Sequence, residues 1–526
     1  MLYNKDKVGS NTVKKINYQD IFYWGIFLVI SAVMCVALFG TLGSSDVIFT
    51  DEGTHAVNAY EMARKGNWWI NTLRYEVDYY NEKPPLMLWL IIFGYKLFGY
   101  TPFGLRFFSA LSGLIIYILV FSFLYKNRGK VQAIGFAAFL PACTRFFTYH
   151  MFRAGDMDAV YTLLFLIAVL ALYRSVEKIN YLFLYGLALG LAFLCKGSHF
   201  VTILGVGVLF SWQIIRRFGW KKTAVCYLGS FITAVAAVLP WAVVRFRFDG
   251  LAFFSNLFFK ETISRVKGSY EDAGESYFEY IYQMLGDAVC VIAVLLIFLA
   301  VVVKIVDEYK KREDIRESRY SPVQFLLTPY INLISTWFIV VIGCYSIAKA
   351  GSSWYIYSAY IPLLMLGAEA LAYLVREVGR NKGYISKFIF IISIFSSIMI
   401  SVNMISAYPW KGTGGSPKTG LDHTLRGLAA ESEEGVFDQR VMYIENSHNA
   451  AFESSRWEHD YMFYAMAALD VLCVDGGVDA FLGTDDMEAL LILDKQLWEE
   501  YAPVLTGYVI LYDSDFLVFS KHKYGE

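Results

Sequence analysis

Long apolar runs with few charged residues recur through roughly the first three quarters of this 526-residue chain. A helix that crosses a bilayer needs about 20 such residues, because the hydrocarbon core is about 30 Å thick. The runs predict eleven spans, at 20–42, 104–125, 131–149, 159–174, 180–196, 198–215, 223–245, 281–304, 322–348, 352–375 and 387–408. The chain is 57% hydrophobic and only 18% charged, which a soluble protein of this size does not need. We therefore predict a mainly α polytopic membrane bundle.

The distribution of Lys and Arg predicts an orientation with a cytoplasmic N-terminus. The segments that would then face inside hold 23 of the 46 Lys and Arg, as the positive-inside rule requires. They are 1–19, 126–130, 174–179, 216–222, 304–321 and 376–387. The apolar stretch 84–98 contains Lys96 and is interpreted as interfacial or re-entrant, because a span there would move three basic loops outside.

This topology divides the chain into a cytoplasmic segment 1–19, a membrane domain 20–408 and a C-terminal domain 409–526. The membrane domain has outer loops at 43–103 and 246–280. Strand-like and helix-like segments alternate after a linker at 412–420, which is typical of a small α/β domain. An odd number of spans places that domain outside the cell, so the expected location is the plasma membrane.

Several function classes are disfavoured by composition and spacing. A net charge of −1 argues against a nucleic-acid partner, because such binding depends on neutralising phosphates. The seven cysteines have no CxxC spacing, so spacing supports neither a disulfide framework nor a thiolate zinc site. The seven histidines are scattered and suggest no metal site. Gly186 and Gly190 have a spacing typical of helix packing.

The predicted topology gathers the unusual polar residues at the outer face. That convergence is the main reason to expect an active site there. The residues are Asp51, Glu52, Glu82, Lys83, Arg106, Arg153, Asp156, Asp158, Lys196 and Arg265.

Asp51 and Glu52 follow Thr50 and precede a helix-like run. They suit a helix start, where acids favour the dipole, and Asp51 also suits a general base that takes a proton from a hydroxyl. Lys83 is held extended by Pro84, either as an interfacial lysine or as a fixed ammonium that grips a phosphate.

Three further segments carry charge near the predicted outer face. Arg153, Asp156 and Asp158 lie between spans three and four, either as a surface ion pair or as functional groups at the edge of a membrane helix. Lys196 ends span five, and Arg265 lies in a basic, aromatic loop. Each of these two cations could bind a lipid phosphate or anchor the chain to anionic headgroups.

The order of these motifs resembles the GT-C glycosyltransferases of the lipid A aminoarabinose transferase and protein O-mannosyltransferase type. The matching pieces are D-E at 51–52, E-K-P-P-L-x-x-W at 82–89, L-F-G at 97–99, R-x-x-S-A-L-x-G at 106–113, R-x-x-x-x-D at 153–158, the glycine-rich segment 186–197, Pro240-Trp241, the segment around Arg265 and the span at 354–366. The resemblance covers residues from about 20 to 375.

The resemblance implies transfer of a hexose or pentose from a polyprenyl-phosphate donor to a cell-envelope acceptor outside the membrane, with inversion. It implies catalytic roles for Asp51, Glu52 and Asp158. Donor phosphate and lipid would contact Tyr80, Lys83, Lys196, Arg265 and Tyr355. Glu82, Arg153 and Asp156 would shape the acceptor side or bind a cation.

Two other functions stay open at this point. A polyprenyl-lipid or glycolipid flippase could use the same charges, although transporters place their sites near the midplane and often have internal repeats. A non-catalytic membrane protein could use its outer domain to bind a partner. The acceptor could be lipid A, another envelope glycan, teichoic acid or protein, and the acids could also hold a divalent cation.

Overall fold

The computed structural model describes residues 18–48, 50–79, 81, 83–147, 150–259, 278–314, 328–348, 352–380, 420–447 and 458–525. Within these ranges the membrane part is almost entirely helical. Its helices are α1 (Tyr18–Phe39), α2 (Asp51–Lys65), α3 (Leu86–Phe98), α4 (Pro102–Asn127), α5 (Lys130–Ala142), α6 (Asp158–Ser175), α7 (Tyr181–Lys196), α8 (Phe200–Phe218), α9 (Trp220–Asp249), α10 (Ala252–Phe258), α11 (Glu279–Leu285), α12 (Ala288–Asp314), α13 (Pro329–Ala348) and α14 (Tyr357–Arg380). Short 3-10 turns occur at Thr144–Phe147, Gly197–His199 and Ser353–Ile356, and a small hairpin pairs β1 (Thr72–Leu73) with β2 (Glu76–Val77).

The predicted fold class is confirmed. Among the described residues, eight helical segments are long and apolar enough to cross a membrane. One of them, Tyr181–Phe218, contains both α7 and α8. The chain reverses between these helices at Gly197, whose φ of 57° is rarely adopted by residues with a side chain. Tyr185 of α7 donates a hydrogen bond to the Ile203 carbonyl of α8 at 3.2 Å, so the two helices are antiparallel.

Two of the predicted segments can be compared with observed helices, and two others lie almost entirely outside the described residues. The stretch 84–98 contains α3, whose 13 residues are fewer than the about 20 that a spanning helix usually needs. The predicted helix 131–149 is wrong at its C-terminal end, because α5 ends at Ala142 and a 3-10 turn follows. The predicted span 387–408 and the linker 412–420, except for Gly420, lie outside the described residues.

Close helix packing explains two glycines in α7. A Cβ atom on Gly186 would lie 2.1 Å from the Ser230 carbonyl oxygen of α9, and one on Gly190 would lie 2.5 Å from the Ala234 carbonyl oxygen. Neither distance is physically tolerable, so α7 and α9 can approach this closely only with glycine at both positions. This is the small-residue packing that the spacing predicts.

The C-terminal domain is an α/β unit, as the alternating pattern predicts. It contains a five-stranded mixed sheet in the order β4-β3-β5-β7-β6, in which β3 pairs in parallel with β4 and β5, while β7 is antiparallel to β5 and β6. Its elements are α15 (Leu421–Glu431), β3 (Val441–Glu445), α16 (His459–Leu469), β4 (Leu472–Val474), α17 (Gly477–Gly483), β5 (Leu490–Asp494), α18 (Trp498–Leu505), β6 (Tyr508–Asp513) and β7 (Phe516–Lys523).

The C-terminal domain docks on one end of the membrane bundle. We call this the site end; α1 and α7 finish there, and α6 and α14 begin there. Helix α16 packs against α2, and the Tyr464 hydroxyl accepts a hydrogen bond from the Val47 amide at 3.0 Å. Thr54 of α2 shares a 2.9 Å hydrogen bond with Nδ1 of His459. The domain therefore lies directly against the helix that begins with Asp51.

Candidate active site

Asp51 is the first residue of α2 and its side chain is exposed. The next eleven residues of the helix are all buried, so the helix is fixed in the protein while its first carboxylate remains accessible. Thr50 makes no side-chain capping bond, yet two acids in the first turn still suit the positive end of the helix dipole. The helix-start role and an outward-facing catalytic carboxylate are therefore compatible at Asp51.

Glu52 has the opposite environment, since it is 1% exposed and its carboxylate oxygens have several hydrogen-bond donors. Arg106 of α4 donates to both oxygens, at 2.7 and 2.8 Å. The Ile48 amide donates to Oε2 at 2.9 Å and the Gly155 amide to Oε1 at 2.6 Å. Glu52 thus joins four separate segments at the site end and positions Asp51 against the loop that precedes α6.

That loop brings His150 and Asp156 to Asp51. Ligand atoms of the three residues all lie within 4.8 Å of one another, and His150 Nδ1 forms a hydrogen-bonded ion pair with Asp156. Burial disfavours charge on both groups, but Asp156 raises the pKa of His150 and His150 lowers the pKa of Asp156. His150 also has a φ of 65°, a costly conformation for a residue with a side chain, and such strain often marks functional sites.

A second charged pair lies beside the first. Asp158, the first residue of α6, pairs with Lys196, the last residue of α7, and both side chains are 5% exposed. The Lys196 ammonium lies 5.4 Å from the centroid of the Tyr355 ring. Trp354, next to Tyr355, stacks on His150 at a centroid distance of 4.1 Å. The two pairs therefore form one continuous polar cluster, with the rings of Trp354 and Tyr355 packed against it.

Lys83 lies on a segment next to Lys196. Pro84, which follows it, lies against the turn after Lys196: an ideal Cβ on Gly197 would be 3.7 Å from Pro84 Cδ. Lys83 itself is partly buried. Two basic side chains predicted to hold a phosphate thus come from adjacent stretches of backbone.

Arg153 is fully buried and contacts the end of α1. Its Nη1 donates to the carbonyls of Ala37 at 2.6 Å and Gly40 at 2.8 Å, where a helix C-terminus favours a cation. Arg153, Asp156 and Asp158 are all buried, so the surface-ion-pair interpretation is wrong. In this structure Arg153 anchors the loop to α1.

Three predicted site residues, Tyr80, Glu82 and Arg265, lie outside the described residues. The structure adds His150, Trp354 and His55 to the site; His55 Nδ1 lies 4.0 Å from an Asp156 oxygen. The signal for His150 was its position on the outer side of the predicted topology, six residues before Asp156. Its partner Asp51 is remote in sequence, so residue spacing could not reveal the group.

The Glu52–Arg106 pair gives a stability prediction. Arg106→Met leaves a buried carboxylate without its cation, and breaking such a pair typically costs about 3–5 kcal/mol. We expect the purified variant to unfold at a clearly lower temperature in detergent. Glu52→Gln combined with Arg106→Met should recover much of that loss, because no unpaired charge remains. Equal unfolding temperatures for Arg106→Met and the parent would contradict the role given to Glu52.

The docked domain contains a group that makes stability depend on pH. Burial raises the pKa of Asp460 to about 8, with Asp46 and Glu458 adding to the effect. The folded protein therefore holds a proton that the unfolded chain has released above about pH 4, and stability falls as pH rises from there through about 8. Burial also raises the pKa of Glu61 to about 7, with the same sign.

Asp460→Asn removes this cost. We expect the variant and the parent to unfold at similar temperatures near pH 5, and the variant to unfold at a higher temperature near pH 8.5. Thermal unfolding in detergent at both pH values measures this, with the exposed Asp485→Asn as the matched control. A shift of the same size at both pH values would exclude titration of Asp460 as its cause.

Comparison with known proteins places these features in a family context. The model of the dolichyl-phosphate-mannose-protein mannosyltransferase family matches residues 82–243. An undecaprenyl phosphate-α-4-amino-4-deoxy-L-arabinose arabinosyl transferase of Pseudomonas savastanoi pv. phaseolicola is 26% identical over 364 residues, which are 67% of this chain and 62% of the relative. The alignment thus spans less than two thirds of that relative.

Two solved structures have a similar fold. ArnT from Cupriavidus metallidurans bound to undecaprenyl phosphate superposes with a TM-score of 0.65 and 17% identity, over 96% of this chain and 98% of ArnT. The oligosaccharyltransferase AglB from Archaeoglobus fulgidus, solved with an inhibitory peptide and a dolichol-phosphate, superposes with a TM-score of 0.53 and 11% identity, over 93% of this chain and 71% of AglB. The chain thus has the GT-C glycosyltransferase fold and resembles the aminoarabinose transferases and protein mannosyltransferases.

Proposed function

We propose that this protein is an integral membrane glycosyltransferase that moves a sugar from a polyprenyl-phosphate donor to a cell-envelope acceptor. The observation that carries the proposal is the cluster at the site end, where Asp51, His150 and Asp156 adjoin the pair Asp158–Lys196. The names of the similar transferases, and the undecaprenyl phosphate bound to ArnT, support a lipid-linked donor. Helix ends at a membrane boundary are where the headgroup of such a donor would lie.

The chemistry follows from the donor's leaving group. The acceptor hydroxyl oxygen attacks the anomeric carbon, the bond from that carbon to the phosphate oxygen breaks, and the lipid phosphate departs with the bonding electrons. Asp51, exposed at a fixed helix start, takes the hydroxyl proton as general base. Direct displacement inverts the anomeric centre. We infer that the anomeric centre is inverted whether the sugar is a hexose or a pentose.

The departing phosphate gains negative charge, which preorganised cations stabilise. We assign this role to Lys196 and Lys83, with Arg265 as a third cation from a segment outside the described residues. Lys196 is buried, so its charge acts in a medium of low dielectric constant and is worth more there than in water. Its partner Asp158 holds the ammonium in position before the donor arrives, and the Tyr355 ring lies beside it.

A divalent cation fits the first group. The group of Asp51, His150 and Asp156 provides two carboxylates and an imidazole whose ligand atoms all lie within 4.8 Å of one another. This donor set suits Mn²⁺ or Zn²⁺. When bound, such an ion would neutralise charge next to the donor. The protein residues would still orient the acceptor and take its proton.

The orientation proposed for this site is outward. Basic residues cluster at the end of the bundle opposite the site end, at Lys126, Arg128, Lys130, Arg216, Arg217, Lys221 and Lys222, as expected for a cytoplasmic face. The site end, with Asp51, Asp158 and Lys196, and the docked C-terminal domain would then face the cell envelope. Lipid A, another envelope glycan, teichoic acid and protein are the acceptors to be tested.

Release of free polyprenyl phosphate tests the proposal. Purified protein in detergent is incubated with an undecaprenyl-phosphate sugar and candidate acceptors, and lipid products are measured by mass spectrometry. Acceptor-dependent release of undecaprenyl phosphate, with the sugar on the acceptor, is the expected result. A flippase would instead move intact donor across proteoliposomes without releasing phosphate.

A further inference from the structure

Two cysteines that are remote in sequence meet at the site end. Cys143 directly follows α5, and Cys290 is in the first turn of α12. Their sulfur atoms and a carboxylate oxygen of Asp287 all lie within 4.8 Å of one another, and both cysteines are fully buried. Sequence spacing could not reveal this pair, because only tertiary packing brings the two cysteines together.

The surroundings favour a bond between the sulfurs over a metal site. Asp287 Oδ2 accepts hydrogen bonds from the amide and hydroxyl of Thr144, at 2.8 and 2.7 Å. Asp287 Oδ1 accepts from the Val289 amide at 2.9 Å. Asp287 is thus engaged on both oxygens, at the start of α12 and with Thr144. A structural zinc site uses four ligands, and this group offers three, one of them already engaged.

The location of Cys143 and Cys290 also favours a disulfide. Cys143 begins the segment that leads to His150 and Asp156, and Phe146 of that segment contacts Tyr360 of α14 at a centroid distance of 5.9 Å. The pair therefore lies at the same end as the proposed site. If that end faces outward, as proposed above, the compartment permits disulfides.

We propose that Cys143 and Cys290 form a disulfide bond that ties the loop carrying His150 and Asp156 to α12. The two thiols lose two protons and two electrons, an S–S bond forms, and an extracytoplasmic disulfide oxidant of the thiol oxidoreductase class is reduced to its dithiol. Burial raises the pKa of Cys143, which disfavours the reactive thiolate, so the bond forms while the chain is folding. Once buried, it resists small reductants.

Peptide mass spectrometry of the full-length protein tests this bond. Membrane proteins are denatured in the presence of iodoacetamide, which alkylates free thiols, and without reductant. The protein is then purified and digested. We expect a linked peptide pair containing Cys143 and Cys290, which reduction separates. The other cysteines provide internal controls and should be alkylated: Cys35, Cys195, Cys226, Cys344 and Cys473. Alkylation of both Cys143 and Cys290 without reductant would overturn the proposal.

A second measurement separates the bond from the orientation on which it depends. Asp485→Cys places a thiol on the exposed surface of the C-terminal domain, and labelling of intact cells with a membrane-impermeant maleimide reports which side it faces. Labelling together with unlinked Cys143 and Cys290 refutes the disulfide but leaves the outward orientation intact. Failure to label while lysed cells do label refutes the orientation, and the linked peptide is then not expected.

Thermal unfolding gives an independent readout. Reductant applied during unfolding should lower the unfolding temperature of the parent and leave that of Cys143→Ser/Cys290→Ser unchanged, because constraining the unfolded chain is what a disulfide contributes. An identical response of parent and double variant to reductant would contradict the bond.

Discussion

Asp51→Asn is expected to reduce sugar transfer by about 10²–10⁴-fold, which is the usual contribution of a positioned general base. The amide keeps the size of the side chain and can still interact with the helix start, but it cannot take a proton at neutral pH. Because Asp51 is exposed while the rest of the first turns of α2 are buried, the variant should fold normally. The measurement is the rate of undecaprenyl phosphate release at saturating donor.

Two controls make the Asp51 result specific. Asp485→Asn removes an exposed carboxylate of the C-terminal domain and should leave the rate unchanged. The unfolding temperature of Asp51→Asn should match that of the parent, which excludes misfolding as the cause of lost activity. Full transfer activity in Asp51→Asn would remove Asp51 from the mechanism.

Lys196→Met is expected to lower kcat by about 10²–10³-fold, by analogy with the loss of one preorganised donor at a developing negative charge. The same substitution breaks a buried ion pair with Asp158, which typically costs about 3–5 kcal/mol of stability. Activity and stability should therefore both fall in the single variant. Transfer rates and unfolding temperatures of the same preparations report the two effects.

The double variant Asp158→Asn/Lys196→Met separates phosphate binding from ion pairing. Without either charge, the buried site no longer holds an unpaired ion, so the unfolding temperature should recover toward that of the parent. The transfer rate should stay low, because the phosphate still lacks its cation. Recovery of both quantities would mean that Lys196 serves only to neutralise Asp158.

The helices and the C-terminal sheet could be predicted because their signals are local. Long apolar runs identify spans, and the alternation of strand-like with helix-like segments identifies the C-terminal α/β domain. The end of α5 was missed for a physical reason: the residues after Ala142 remain mostly apolar, as in Phe146 and Phe147. Hydropathy alone therefore continues the span, while the structure replaces it with a 3-10 turn.

The composition of the site could be predicted better than its pairing. Topology brings Asp51, Asp158 and Lys196 to one face, and the structure places them there. The partners depend on tertiary packing: Lys196 could pair with any of several acids, and the structure selects Asp158. Glu52 likewise looks equivalent to Asp51 in sequence, but the structure buries it in an ion pair with Arg106, which residue spacing could not show.

The most direct test of the central claim is an experimental structure with bound polyprenyl phosphate. We predict that the phosphate binds at the site end, in contact with Lys196 and Lys83 and close to the Asp51 carboxylate. A phosphate bound at the opposite end of the bundle, near Arg128, would contradict the proposed site and the outward orientation together.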